Sequence, residues 1–469
     1  MKPAWVAVAF VFGCVGSERN PLFCGDGICV DPERPFCDVD ASFSEDPGTC
    51  VAVSCTPRAF ERCRGDTALT CNGGGNNFDL VECPLGCAES AAGCRQCIDN
   101  AQCDGSQVCD PITNACRACV ADDECSSRVC DVDAKRCIDE REVVYATGET
   151  SGSNGDCTLT SPCSFAKAAG RALGHAPALL VRMLPGAYGA IALDSLTDQT
   201  LHVIATGAQF VSGGSVAALT VDRGAKLAIR GFTTLTDGDH VRCGSDNAAT
   251  QSRLDLRDVV LRSSLHGVTA IEARRCALSM TNVGMTKAGT WFVSASSVAA
   301  DRVMLQEGAN TSLAMVGTSS VRIQNSVLEN QRVFLFGLGE LILSHATLVY
   351  PGNTAIEDVC SKARVAGMLV LVENSILRAG AGDALVNPLP NGACTFSNTL
   401  LSQQASPPPG TFVGDPKFVD FGNHDYHLQA GSPAVDVGVP GMLTTDHDFD
   451  GTPRPQGAKP DVGAFELAP

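Results

Sequence analysis

At 469 residues the chain has room for about three domains, and 44% apolar residues with 47 glycines indicate a globular rather than a disordered protein. A formal net charge of −18 argues against a nucleic-acid partner, whose phosphates require Lys and Arg. No apolar run reaches roughly 18 residues, so no segment reads as a membrane-crossing helix.

Residues 1–13 read as a signal peptide. Met1-Lys2-Pro3 supplies a positive start, and Ala4 to Phe12 is an apolar run of nine, too short to span a bilayer. The run ends in Val11-Phe12-Gly13-Cys14, which resembles the bacterial lipobox, with Phe12 standing where a small residue is usual. That resemblance implies that Cys14 becomes the first mature residue and carries the lipid. Val15 after it implies the outer membrane and surface of a Gram-negative cell, with simple secretion as the alternative. Acyl chains contribute roughly 0.8 kcal/mol per buried methylene, so two or three anchor stably. Residues 14–23 form a polar tether.

Residues 24–141 form a cysteine-rich module. Of 25 cysteines, 19 lie at or before Cys137, which implies an oxidising compartment and hence export. Cys14 accounts for the odd count. The module carries 22 Asp plus Glu against 10 Lys plus Arg, an acidic surface. It ends in a duplication: Cys97, Cys103, Cys109 and Cys116 are followed 21 or 22 residues later by Cys119, Cys125, Cys130 and Cys137. These units resemble the small cysteine-rich repeats of surface lipoproteins in predatory soil bacteria. The CxxC pairs Cys94/Cys97 and Cys116/Cys119 also suit zinc or redox chemistry, but export and the even count favour structural disulfides. Spacing leaves their connectivity open.

From residue 142 the pattern changes. Val143 to Gly148 is a strand leading into a Gly/Ser/Asn loop, followed by Ser161-Pro162-Cys163-Ser164-Phe165 and by Leu184-Pro185-Gly186-Ala187-Tyr188. These segments resemble the opening of bacterial pectin-lyase-like β-helix proteins. The resemblance implies a strand and short helix covering the open end of an apolar coil, and Cys157 and Cys163 are placed to staple it.

Between Leu227 and Leu377 one phrase recurs: apolar, any, apolar, any, turn-prone, two free positions, then usually apolar. The copies start at Leu227, Leu254, Leu278, Val298, Val321, Leu341 and Val370, about 24 residues apart, a solenoid period. Alternation and β-branched residues suit strands, and a unit this short gains a core only by stacking. The expected fold is all-β: a right-handed parallel β-helix over residues 142–411, with rungs from near Leu179 and Leu201 making about nine. The fifth position holds Gly231, Asp258, Asn282, Arg302, Asn325, His345 and Asn374. Gly, Asn and Asp tolerate the left-handed bend required there, while Arg302 and His345 interrupt any asparagine ladder. Cys243/Cys276 and Cys360/Cys394 are spaced to fasten neighbouring coils.

The best catalytic candidates are Asp237, Asp239 and His240, two carboxylates and an imidazole within four residues; His266 is weaker. Only Trp291 and four tyrosines remain for stacking on sugar after signal removal. Residues 412–469, with Asp415-Pro416, Gly431-Ser432-Pro433 and Asp461-Val-Gly463-Ala464-Phe465-Glu466, resemble the end of surface β-helix proteins of the choice-of-anchor and polymorphic outer-membrane type. They are expected to cap the helix. Asp446, Asp448, Asp450 and Gly451 match the first half of a calcium loop whose closing Glu is replaced by Gly457. The alternative is a salt-bridged cap in which Arg454 meets Asp436 or Asp461. The sequence therefore describes a lipid-anchored monomer without nucleic acid, with calcium as its one candidate cofactor and a surface glycan or protein as partner. A non-catalytic adhesin or scaffold is the leading reading; a polysaccharide lyase or hydrolase and a glycan-binding module are the alternatives.

Overall fold

The computed structural model describes residues 23–468 apart from 25–26, 40, 149–154, 195–197, 215, 248, 267, 308–311, 331, 337, 351–368, 381–393 and 444. Cys14, the signal segment and Cys360 lie outside the described residues. The chain divides into two compact units. One runs to Ser126 and includes Cys130–Cys137; the other comprises Ser127–Val129 and Ile138–Pro469. The boundary therefore interleaves rather than falling cleanly at residue 141.

The first unit is held by cross-links around a small core. A three-stranded antiparallel sheet of Phe60–Arg64, Thr67–Cys71 and Phe78–Glu82 backs a cluster of Phe36, Phe43, Phe78 and Leu69. Phe36 meets Phe78 edge-on at 5.0 Å, and Phe43 stacks on Phe78 at 5.3 Å. Phe36 and Phe43 meet Phe78 from well upstream in the sequence to make this core. The duplicated units fold alike. Each ends in a two-residue hairpin, Val108–Cys109 with Cys116–Arg117 and Cys130–Asp131 with Arg136–Cys137. Each joins its first cysteine to its third and its second to its fourth.

The second unit is a parallel β-solenoid. A complete turn has three faces. The strands of the first two faces run together into a 19-stranded sheet, and those of the third form a 7-stranded sheet. Seven turns, from Leu180–Met183 to Arg332–Phe336, have all three faces described. Three more have two: Gly339–Ser344 with Thr347–Tyr350, Leu369–Glu373 with Ile376–Ala379, and Cys394–Ser397 with Thr399–Leu401. The expected nine thus falls between the closed turns and the full stack. The overlooked last turn, Cys394 to Leu401, repeats the phrase with Asn398 at its bend.

The phrase itself is the register. Leu201, Leu227, Leu254, Leu278, Val298, Val321, Leu341 and Val370 lie directly opposite one another down the stack, ending at Cys394. Their side chains form one buried core with the inward residues of the other faces. Every fifth-position residue has positive φ, from +44° at Asn374 to +83° at Gly231, Arg302 and His345 included. At Gly231 a Cβ would also lie 2.7 Å from Thr206 Oγ1. The ladder is broken into short runs: Asn282 donates to Asp258 at 2.6 Å and Asn398 to Asn374 at 3.0 Å.

At the N-terminal end, helix Phe165–Leu173 begins at Ser164, whose hydroxyl accepts from Lys167 N–H, and buries Phe165, Ala168, Ala169 and Ala172 in the solenoid core. Strand Val143–Ala146 pairs with Leu180–Met183, and Cys157–Cys163 fastens the loop between. At the other end the structure corrects the expected cap. Strand Thr411–Val413 adds to Thr399–Leu401. The rest of the C-terminal segment instead lies along the outside of the second face. Val327, Val349, Ile376 and Leu400 point outward there and make a second core with Phe418, Tyr426, Leu428, Val462, Ala464 and Phe465. A sheet buried on both sides needs apolar residues at both parities. The doublets Val327-Leu328, Leu348-Val349, Ile376-Leu377 and Leu400-Leu401 supply them.

Candidate functional site

The structure separates the predicted catalytic trio. Asp237 is exposed and accepts a hydrogen bond from the Ser264 hydroxyl. Asp239 accepts from Arg242 at 3.2 Å. His240 turns the other way, fully buried, with Nδ1 2.6 Å from Thr234 Oγ1 and Nε2 without a hydrogen-bond partner. Burial pulls its pKa down to about 4, so the imidazole is neutral at pH 7. Arg242 and its neighbours instead form an outer ladder on the third face. Arg242 Nε donates to Glu272 at 2.6 Å, Arg274 Nε donates to the other Glu272 oxygen at 2.6 Å, and Arg274 lies over the Phe292 ring. His266 is exposed beside the Glu307 carbonyl.

Among the described residues the cysteines of both CxxC pairs are in disulfides. Cys94 bonds Cys83 and Cys97 bonds Cys109, while Cys116 bonds Cys103 and Cys119 bonds Cys130. Each CxxC is therefore divided between two disulfides. Cys243 bonds Cys276, and both are fully buried. Cys394 is disulfide-bonded, and Cys360, expected opposite it, lies outside the described residues.

The half calcium loop also disperses. Asp446 holds His447 Nδ1 at 2.7 Å. Asp448 is buried, its Oδ1 accepting from the Asp450 and Thr452 amides and its Oδ2 from the Glu466 amide. Asp450 holds His427 Nε2 at 2.7 Å. Three carboxylates facing three different partners do not fit the convergent oxygen cage calcium needs.

Arg454 fastens this region through an ion pair with Glu466, meeting Asp461 at its carbonyl rather than its carboxylate. It sits fully buried and donates to Glu466 Oε2 at 2.7 Å and to the carbonyls of Asp461, Gly463 and His447 at 3.0, 2.9 and 3.2 Å. The Asp461 carboxylate is taken by the amides of Asp436 and Leu467. Burial pushes Arg454 down and Glu466 up, and the attraction between the two opposes both shifts.

Three histidines lock the lateral segment, and sequence reading identified none of the locks; His424 and His447 meet partners remote in sequence. His447 bridges Asp446 and, at 3.0 Å, Asp301 of the sixth turn. His427 bridges Asp425 and Asp450 at 2.6 and 2.7 Å. His424 Nδ1 and the Tyr426 hydroxyl both lie 2.6 Å from Oε1 of Glu329, a fully buried carboxylate of the seventh turn. Burial disfavours charge on His427 and His447. Hydrogen bonds from Asp450 and Asp425, and from Asp446 and Asp301, outweigh it and raise both pKa values. Arg302 Nε also lies 3.8 Å from Asp301 at the His447 bridge.

A raised histidine stabilises fully below its unfolded value near 6.5 and loses that contribution as pH climbs through its folded value. Asp425 and Asp446 are lowered, so their contribution holds above roughly 3.8 and is lost as pH falls through their folded values. Docking of the lateral segment is therefore expected to be firmest between about pH 4 and 6.5. The Ala464 amide, which donates to Thr347 Oγ1 at 2.9 Å, reports it. Its hydrogen-exchange protection should fall from about pH 5.5 to 8.5, and His447→Ala should flatten the fall. Protection that rises over that interval would contradict the assignment.

No protein-family model matches this chain, and no curated protein matches it either. Among solved structures the chain is similar to the crystal structure of pectate lyase Pel9A, at 12% sequence identity and a TM-score of 0.41, over 69% of this chain and 96% of that one. The assignment of the fold rests on the strand register of an all-β parallel solenoid; the disulfide-rich unit is separate.

Proposed function

We propose that the chain is an exported, non-catalytic surface scaffold whose outer solenoid faces serve recognition of a glycan or protein partner. Lipid on Cys14 would tether it to the outer membrane, with secretion as the other route. One observation carries the reading. Polar side chains on the outer faces are engaged with neighbours one turn away: Arg242 with Glu272, Glu340 with Ser320 and Arg322, Asn282 with Asp258. Such ladders favour rigidity over the convergent, perturbed groups of an active site. The division of Asp237, Asp239 and His240 among separate partners points the same way.

The test is an activity screen of the soluble, lipid-free chain on acidic and neutral polysaccharides, following new reducing ends and absorbance of unsaturated products. No product is expected. Turnover that survives purification and is abolished by one point substitution on a solenoid face would overturn the reading.

A further inference from the structure

Outward aliphatic residues on the second face are covered at one end of the solenoid and bare at the other. Val327, Val349, Ile376 and Leu400, on the seventh to tenth turns, lie beneath the chain's own C-terminal segment. On the second and third turns the same face points Val211 and Leu235 outward, directly opposite each other in register, and leaves them 43% and 48% exposed. Two more aliphatic side chains stand in the loops that follow: Val216 is 55% exposed and Leu265 54%. These loops are drawn together. Ser212 Oγ lies 2.8 Å from Thr236 Oγ1, Gly238 closes on the Gly214 carbonyl where a Cβ would stand at 2.2 Å, and the Ser264 hydroxyl donates to Asp237. Single exposed aliphatics are ordinary on a protein surface, whereas a cluster held on one frame marks an interaction site.

The rim of the cluster carries one charge of each sign. Arg262 is exposed and lies directly opposite Leu235 in register; Asp237 is exposed two residues beyond Leu235. Asp237 takes the Ser264 hydroxyl rather than Arg262, and among the described residues the Arg262 guanidinium has no carboxylate partner. We infer that two copies of this chain pair through this surface about a twofold axis, burying Val211, Val216, Leu235 and Leu265 against their equivalents, with Arg262 of each copy on Asp237 of the other. An isologous contact requires a patch complementary to itself. An apolar centre rimmed by one unmatched cation and one exposed anion meets that requirement. The second face already packs on polypeptide through outward aliphatics at its far end, so the same chemistry suits a protein here. A lipid surface fits less well, because Asp237 and the net charge of −18 oppose an anionic bilayer. The patch is smaller than the roughly 20–30 residues a side of a standard interface, so a dissociation constant on the order of 10 μM is expected. Pairing of copies needs no third partner and stands apart from the recognition role proposed above.

Sedimentation equilibrium of the soluble, lipid-free chain from about 1 to 200 μM tests it. A monomer–dimer equilibrium is expected. Leu235→Asp should weaken it at least hundredfold while keeping the circular dichroism and unfolding midpoint of the monomer, since this side chain lies outside the core. Val211→Asp is the second variant at the same centre. Arg262→Asp and Asp237→Arg should each weaken pairing at least tenfold, and combining them should restore it to within about threefold, because the exchanged charges still meet across the axis. A purely structural effect would not be restored. Ile112→Asp, 75% exposed in the disulfide-rich unit, should change nothing. A chain that stays monomeric at the highest concentration would overturn the pairing and leave the patch to another partner. Growth beyond dimers, pairing that survives both aspartate variants in folded form, or charge variants that fail to rescue each other would also overturn it. So would vesicle binding in place of pairing, measured on phosphatidylcholine with phosphatidylglycerol and abolished by Leu235→Asp, which would assign the patch to a lipid surface.

Discussion

Replacing Arg454 with alanine is expected to destabilise the solenoid unit by about 3–5 kcal/mol, the cost of stranding a buried partner of opposite charge. Both side chains of the pair are essentially inaccessible, at 0% and 1% exposure. The substitution leaves Glu466 Oε2 with the Asp461 amide alone and no counter-charge, and removes the donor to three carbonyls at once. Lysine should rescue little, because its point charge cannot reproduce the planar fork that reaches four acceptors. Chemical denaturation with hydrogen exchange at the Val462 and Ala464 amides gives both the global loss and its location. A loss under about 1 kcal/mol would mean that the region relaxes and rehydrates Glu466.

Phe210→Ala is the second large effect, expected at about 3–5 kcal/mol. Phe210 is fully buried, stacks on Phe232 at 4.5 Å and 14°, and meets Tyr188 edge-on at 6.2 Å. These rings come from three successive turns, so the cavity opens at the joints between repeats, where a solenoid's stability resides. Its neighbour Val211 points outward and is 43% exposed, and Val211→Ala should change stability by no more than about 0.5 kcal/mol. Thermal and urea unfolding of the pair check the parity of the strand as well as the size of the effect. Similar losses for both would contradict the inward assignment of Phe210.

Much of the solenoid was legible because its rules act within a few residues. Alternating apolar positions set which side chains point inward, and the fifth position of each phrase sits at the bend, even where it is Arg302 or His345. The helix after Cys163 follows from local capping by Ser164. The last turn was missed because Cys394-Thr-Phe-Ser begins with a cysteine rather than an aliphatic residue. The apolar doublets from Val327 to Leu401 were a readable sign of a sheet covered on both sides. Nothing local in them indicated which segment covers it.

The candidate site shows the same division. Asp237, Asp239 and His240 are neighbours in sequence, yet a turn of alternating direction sends the imidazole into the core and the carboxylates outward. Asp446, Asp448 and Asp450 have calcium-like spacing, but the folded chain offers each a different partner: His447, backbone amides and His427.

By itself the sequence determined the repeat, its register, its bends and the density of cysteines, since each depends on strand alternation, backbone sterics or composition. The tertiary structure decided which cysteine meets which, and that the C-terminal segment lies along a face rather than over an end. It also joined His424 to Glu329 across 95 residues and His447 to Asp301 across 146. The reason is geometric. A short-range pattern sets the direction of a side chain, but its partner is set by which distant surfaces come to face each other, and burial then makes that choice energetically binding.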